Sequence, residues 1–426
     1  MEGTPLFADL IIYGGQVCTL AGPEAPRRGP EQAALGVIDD GIIAVRDGRI
    51  VEVWAGGDAT AYLGPATAVI EARDAVITPG LVDAHTHLVF AGDRAAEYEL
   101  RLAGAGYLEI MAAGGGIMST VRATRGAGEA ELAALLRQRL ARMLAHGTTA
   151  VEIKSGYGLS TEAELKSLRA VRRVRDALAE GGAGPRIAPT FLGAHAVPAE
   201  YAGRADDYVR LLVEETLPAV VAEGLAESCD VFCDEGAFTA AQARAILEAA
   251  RGLGLPVRLH ANEFARIGAA ELAAELHALS ADHVLLLSPA EIAMLAAAGV
   301  VAVLLPGTGL GLGHAAPARA LIAAGVPVAV ATDCNPGTCY CESLPLMLAL
   351  ACTTLRLQPA EALVAATLNA AWALGPRWAA QIGSLEPGKW ADLVIWDAPD
   401  YRHLPYHFGV NLVRQVLVGG RVMRNA

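Results

Sequence analysis

Two histidines stand two residues apart in "GLVDAHTHLVFAGDR" (residues 80–94), at the end of an apolar run. On a β-strand, side chains two apart share a face, and a rise of about 3.3 Å per residue sets their Cα atoms roughly 7 Å apart, within reach of one metal ion. Taken alone, such a pair more often satisfies hydrogen bonds in a core. Three further residues change the reading: His260 closes "PVRLHAN", His283 lies in "ADHVLLL" and Asp333 closes "PVAVATDC". Imidazole and carboxylate are ligands suited to a hydrolytic transition metal, and four strands that each deliver one to the same relative position are hard to obtain as core decoration.

Something must bring those strand ends together. Short β-branched runs alternate with alanine-rich helical stretches, which predicts strands at 80–88, 149–155, 186–193, 228–234, 256–262, 281–287, 300–306 and 327–334. Helices are expected between them at 129–145, 161–180, 240–252, 265–278, 289–297 and 315–324, with a helical tail at 343–374. Eight such units predict an α/β fold, a (β/α)8 TIM-like barrel, whose carboxyl-terminal rim gathers residues from separate strands into one site. The chain ends differ. "ADLIIYGGQVCTL", "GIIAVRDGRIVEVW", "ADLVIWDAP" and "VRQVLVGGRVM" are short strands with glycine turns and no helices between them. They predict a small composite β-sandwich domain from both termini, residues 1–76 with 383–426, beside a barrel at 77–382.

Composition removes several function classes. At 426 residues the chain exceeds the roughly 250–300 of a single core, in keeping with two domains. A formal charge of −13 leaves no electrostatic footprint for nucleic acid, and the basic run "KSLRAVRRVRD" (166–176) reads as the solvated face of a helix. Residues 292–318 carry no Asp, Glu, Lys or Arg, but "LLPGTGLGLGH" interrupts them with turn residues, so a strand and its glycine loop are expected instead of a membrane span. The N-terminus lacks the basic and apolar regions of a secretory signal. The seven cysteines follow no regular framework, so reduced thiols and a cytoplasmic location are expected.

"DAHTHLVFAGDR", "GGGIMSTVRATR", "EIKSGYGL", "LGAHAVP", "VFCDEGAF", "HANEF", "ADH" and "ATDCNPG" resemble the amidohydrolase superfamily and, within it, the imidazolonepropionase family. These matches run from residue 80 to 340, and the terminal strands match that family's composite β domain. The first and last motifs are partly superfamily-wide, whereas "EIKSGYGL" and the "NPGT" after Asp333 discriminate more sharply. The resemblance implies hydrolytic ring opening of 4-imidazolone-5-propanoate to N-formimidoyl-L-glutamate in histidine degradation. It also implies one Zn2+ or iron ion per chain, a small-molecule substrate and a homodimer.

By the matching motifs, the metal ligands would be His85, His87, His260 and Asp333, with Asp333 next to the reacting water. Glu263 would contact substrate and transfer the proton that must reach the leaving ring nitrogen. His283 would either be a fifth ligand or hold the attacking water, the second role being preferred. Arg94 offers a fork of donors that matches the substrate's propanoate. Tyr157 and His195 would be further substrate contacts, Asn335, Gly337 and Thr338 would present polar groups, and Tyr107 is a further candidate for the lining. Lys154 closes the second strand, whereas the bridging lysine of dinuclear relatives belongs to the fourth, so a mononuclear site is expected. Another cyclic-amide hydrolase or a metal-dependent deaminase would use nearly the same ligands, and Arg94, Tyr157 and Asn335 argue against both. A non-catalytic scaffold should have lost ligands that this chain retains.

Overall fold

The computed structural model describes residues 7–104, 115–181 and 184–425. Two eight-stranded sheets dominate it. The first draws on both ends of the chain: β1 (Leu10–Cys18), β2 (Val37–Arg46), β3 (Arg49–Ala55), β4 (Ala68–Glu71) and β5 (Val76–Pro79) join β14 (Leu393–Trp396), β15 (Val413–Val418) and β16 (Arg421–Asn425). Alternation along β1 and β2 sends Ile12, Ile43 and Val45 into one apolar cluster and Ile11, Ile42 and Ala44 into another, so the sheet buries side chains on both faces. The β5–β14 pairing closes the sheet between the N-terminal and C-terminal strands.

The second sheet is the barrel, formed by β6 (Leu81–Asp83), β7 (Thr148–Lys154), β8 (Arg186–Ala194), β9 (Ser228–Cys233), β10 (Val257–Ala261), β11 (Ser280–His283), β12 (Val301–Leu304) and β13 (Val328–Val330), hydrogen-bonded in chain order. Each strand from β6 to β13 runs parallel to its neighbour. Closure comes from the segments just beyond the first and last strands: Thr86 bridges Cys334, the Asp333 N–H donates to the His85 carbonyl at 3.0 Å, and the His87 N–H donates to the Cys334 carbonyl at 3.0 Å. The chain passes from one sheet to the other at Gly80, where a Cβ would lie 1.9 Å from Thr149 Oγ1, so no side chain fits.

The helices Glu129–Ala145 and Ala240–Gly252 match the expected spans, and Thr161–Gly181 extends its span by one residue. The outer face of Thr161–Gly181 carries the basic run, where Arg169 and Arg172 pair with Glu223 and Arg173 with Glu129. Three expectations need correction. The tail at 343–374 is three helices, Leu344–Thr354, Pro359–Ala365 and Leu368–Leu374, because Pro359 has no N–H to continue a helix and instead opens a new one. The expected glycine loop after β12 contains the helix Pro306–Leu312, started by Pro306 at its first position. Three barrel strands are shorter than expected: the first ends at Asp83 instead of 88, so His85 and His87 lie beyond it, the eighth ends at Val330 instead of 334, and the sixth ends at His283 instead of 287, where His283 (φ +71°) and Val284 (φ +43°) turn the chain out of the sheet.

Among the described residues no helix is long and apolar enough to cross a membrane, and the seven cysteines are free thiols.

Candidate active site

The site residues lie at the ends of barrel strands, and the backbone there is unusual. Asn262 (φ +53°), His283, Val284 and Asp333 (φ +51°) all adopt left-handed conformations, His283 at the end of β11 and the others just past β10, β11 and β13. Such conformations are costly for non-glycine residues, most of all for a β-branched valine, and cluster where surrounding structure forces a side chain into a pocket.

Four ligand atoms meet at this rim. His87 Nε2 lies 3.3 Å from His85 Nε2 and 3.3 Å from His260 Nε2. Asp333 Oδ1 is 3.5 Å from His85 Nε2 and 3.4 Å from His87 Nε2. A tetrahedron with metal–ligand bonds of about 2.0–2.1 Å has edges of about 3.3–3.4 Å, so these spacings are those of a shell around one ion. Neutral imidazoles cannot all donate protons to one another, and burying that many converging lone pairs without a cation would be costly. The residues therefore fit a divalent metal ion. The second oxygen of Asp333 accepts the Thr308 hydroxyl at 2.5 Å, which fixes Oδ1 toward the histidines. Although burial opposes it, bonding to His85 and His87 holds Asp333 ionised, well below the usual carboxylate range. Burial pushes His87 down to about 4, which keeps its ring neutral.

Directly beneath the cluster lies a layer of buried charge. His85 Nδ1 donates to Asp282 Oδ2 at 2.6 Å, fixing the tautomer whose Nε2 faces the rim. His260 Nδ1 approaches Asp230 Oδ2 at 3.0 Å, off the line of a good hydrogen bond, and the His260 backbone N–H donates to Asp230 Oδ1 at 3.2 Å. Lys154 Nζ sits 2.7 Å from Asp230, 2.9 Å from Glu152 and 3.7 Å from Asp282. Arg258 completes the layer, 3.5 Å from Glu152, and donates to the carbonyls of Ala84 and Ala373. Although burial opposes it, Asp230 and Glu152 hold the Lys154 ammonium charged, above its ordinary value.

Glu263 follows His260 on the loop after β10, nine-tenths buried, with Oε2 3.6 Å from His283 Nδ1. Asp234 anchors that loop, its carboxylate accepting the backbone N–H groups of Glu263 (2.6 Å), Phe264 (3.0 Å) and Ala265 (2.9 Å). Burial, with the Asp333 and Asp234 carboxylates nearby, lifts Glu263 well above the carboxylate range, whereas burial lowers His283. His195 stacks on His87 with ring centroids 4.9 Å apart, and its Nδ1 donates to the Gly156 carbonyl at 3.0 Å, which leaves Nε2 as an acceptor. Tyr157 is buried between His195 and Phe90, and burial keeps its hydroxyl protonated. The glycines beside it have steric causes: a Cβ on Gly156 would meet the Leu192 carbonyl at 2.8 Å, and one on Gly158 would meet Glu164 N at 2.5 Å. Glu164 accepts the N–H groups of Gly156, Gly158 and Leu159, which shapes the turn.

Arg94 precedes the helix Ala95–Leu102, with Nε bonded to Glu97 at 2.8 Å and Nη1 against Gly337, on the loop that follows Asp333. Arg101, from the same helix, donates to the Gly337 carbonyl at 2.7 Å. The Asn335 side chain is committed within the loop, accepting from Gly337 N (2.7 Å) and Thr338 N (2.8 Å) and donating to the Asp333 carbonyl (2.7 Å). It shapes the loop, and Thr338 is exposed. Tyr107 lies outside the described residues. The sequence reading missed Glu152, Asp230, Asp234, Arg258, Asp282 and Thr308. The available signal was charge inside strands otherwise apolar, as in "TTAVEIK", "SCDVFC" and "VRLHA".

Known proteins agree with this architecture. The chain is 51% identical to an imidazolonepropionase from Symbiobacterium thermophilum over 423 residues, 97% of each chain. It is 49% identical to one from Herpetosiphon aurantiacus, again over 97% of each. Among solved structures, an adenosine deaminase from Xanthomonas campestris with bound zinc is similar at a TM-score of 0.71 and 25% identity, over 98% of this chain and 93% of that one. The sequence profile of the amidohydrolase family matches residues 76–423. The chain belongs to the amidohydrolase family and, within it, to the imidazolonepropionases.

Proposed function

We propose that the chain hydrolyses 4-imidazolone-5-propanoate, opening the ring to N-formimidoyl-L-glutamate. The observation that carries this reading is a single rim holding His85, His87, His260 and Asp333 at ligand spacing, with Arg94 against the loop that follows Asp333. His85, His87, His260 and Asp333 hold one zinc or iron ion. When bound, a divalent ion there polarises the ring carbonyl and lowers the pKa of a water.

The chain's own side chains do the rest. Arg94 grips the propanoate with the guanidinium face not taken by Glu97, which orients the ring. His195 and Tyr157 line the ring's binding side, and Asn335 holds Gly337 and Thr338 in the loop that closes over it. Neutral His283 accepts a hydrogen bond from the attacking water. Glu263, beside it, takes a proton from that water and gives it to the ring nitrogen as the carbon–nitrogen bond breaks. Burial raises the proton affinity of Glu263, which suits it to holding the proton between the water and the ring nitrogen.

Freshly prepared substrate should lose its absorbance on addition of enzyme, with N-formimidoyl-L-glutamate as the product. Immediate ammonia release would instead point to deamination. Elemental analysis should return one zinc or iron per chain, and two per chain would revive a dinuclear site. The same reading divides the chain into a β domain from both termini and a barrel, with the first boundary moved from 76 to Gly80 because β5 runs to Pro79 in the terminal sheet and the second kept at 382/383, and pairs two copies into a homodimer, which light scattering would report as twice the chain mass.

A further inference from the structure

The mechanism leaves a layer of buried charge unused, with the Lys154 ammonium inside it. Lys154 is fully buried, and its ammonium lies among three carboxylates, Glu152, Asp230 and Asp282. Each carboxylate grips a different part of the metal cluster. Glu152 Oε2 accepts the backbone N–H of Thr86 at 3.1 Å, between His85 and His87. Asp230 accepts the His260 backbone N–H and faces its ring. Asp282 accepts the His85 Nδ1 proton.

Without a cation at their centre, three buried carboxylates would repel one another and move apart or take up protons. We infer that Lys154 is a positioning residue: its ammonium, with the Arg258 guanidinium at the edge of the layer, is a built-in cation of the barrel, clamping Glu152, Asp230 and Asp282 so that β10 and the segment after β6 present their three histidines to one point. The inference rests on the metal-centre reading above. It accounts for a lysine at the end of the second strand without carboxylation, because the ammonium occupies the carboxylate cage itself. It also places the coupling in the ligand scaffold, so it should appear in metal binding with no substrate present.

The test uses cobalt(II) as the probe on metal-free full-length protein, with affinity measured by chelator competition and coordination by the visible ligand-field bands. Lys154→Met should weaken cobalt binding by roughly 10–100-fold and shift the bands, as expected when the groups that orient ligands are lost. Asp282→Asn should weaken it to a similar degree. The double variant should lose little beyond the larger single loss, because both changes break one unit. If Lys154→Met does not fold, Lys154→Gln, which keeps two donors without the charge, should give a smaller loss and the same band shift. Cobalt affinity within twofold of wild type and unshifted bands in the folded lysine variant would overturn the inference, even with a lowered melting temperature, as would additive losses in the double variant. Wild-type protein that takes up no cobalt would overturn the metal centre and this inference with it.

Discussion

Replacing Arg94 tests whether one rim handles both the reacting ring and its tail. The Arg94 side chain is only 15% exposed, and Glu97 takes Nε at 2.8 Å, which leaves the two terminal nitrogens as the donors for a carboxylate. Two hydrogen bonds to a charged acceptor contribute about 1.5–3 kcal/mol each, and the lower half of that range applies because Glu97 already neutralises part of the charge. A loss of about 3–4 kcal/mol corresponds to a fall of roughly 10²–10³ in kcat/KM for Arg94→Ala. The loss should appear in KM and also in kcat, since a ring no longer held by its tail loses alignment. Arg94→Lys should recover only part, having charge without the fork. The decisive assay compares substrate with an analogue lacking the carboxylate: wild type should strongly prefer the acid, and Arg94→Ala should lose most of that preference. If the variant discriminates as well as wild type, Arg94 is not the carboxylate clamp, and the substrate assignment loses its physical support.

Glu263→Gln keeps the hydrogen-bonding shape but cannot carry a proton, so kcat should fall by roughly 10²–10⁴ while metal content stays unchanged; loss of metal would make Glu263 structural. Gly158→Ala drives a Cβ to 2.5 Å from the Glu164 backbone nitrogen, which cannot move aside as a side chain could, so denaturant melts should show a loss of about 3 kcal/mol. An unchanged midpoint would mean that the turn rearranges freely. Burial outweighs the hydrogen bonds to Glu164 and raises its pKa above the ordinary 4.5. A raised acid contributes stability that is fully present below the ordinary value and is lost as pH rises through the folded one. Wild type should therefore lose stability relative to Glu164→Gln over that window, and a constant difference across pH would refute the shift.

The sequence by itself determined the strand count, the chemistry of the rim and most of the residues that meet there. Periodicity marks a strand locally, and a histidine or aspartate at the end of an apolar run stands out without any coordinates, as His85, His87, His260 and Asp333 do. The same logic failed at "ADHVLLL", because a β-branched run looks like strand even where left-handed residues at 283 and 284 take the chain out of the sheet. Only the tertiary structure decided which charges share a site. Glu152, Lys154, Asp230, Arg258 and Asp282 come from four different strands, and in one dimension only Glu152 and Lys154 stand near each other, the rest being single charges in apolar segments. Barrel closure at Thr86 and Cys334 brings them within ion-pair distance, where low polarisability makes their mutual attraction strong and any missing partner costly. Arg94 shows both halves of the matter. Its residue type announced an anion site and Glu97, three residues on, is a local partner, but its aim depends also on Gly337, 243 positions further along the chain, a contact that exists only once the barrel is closed.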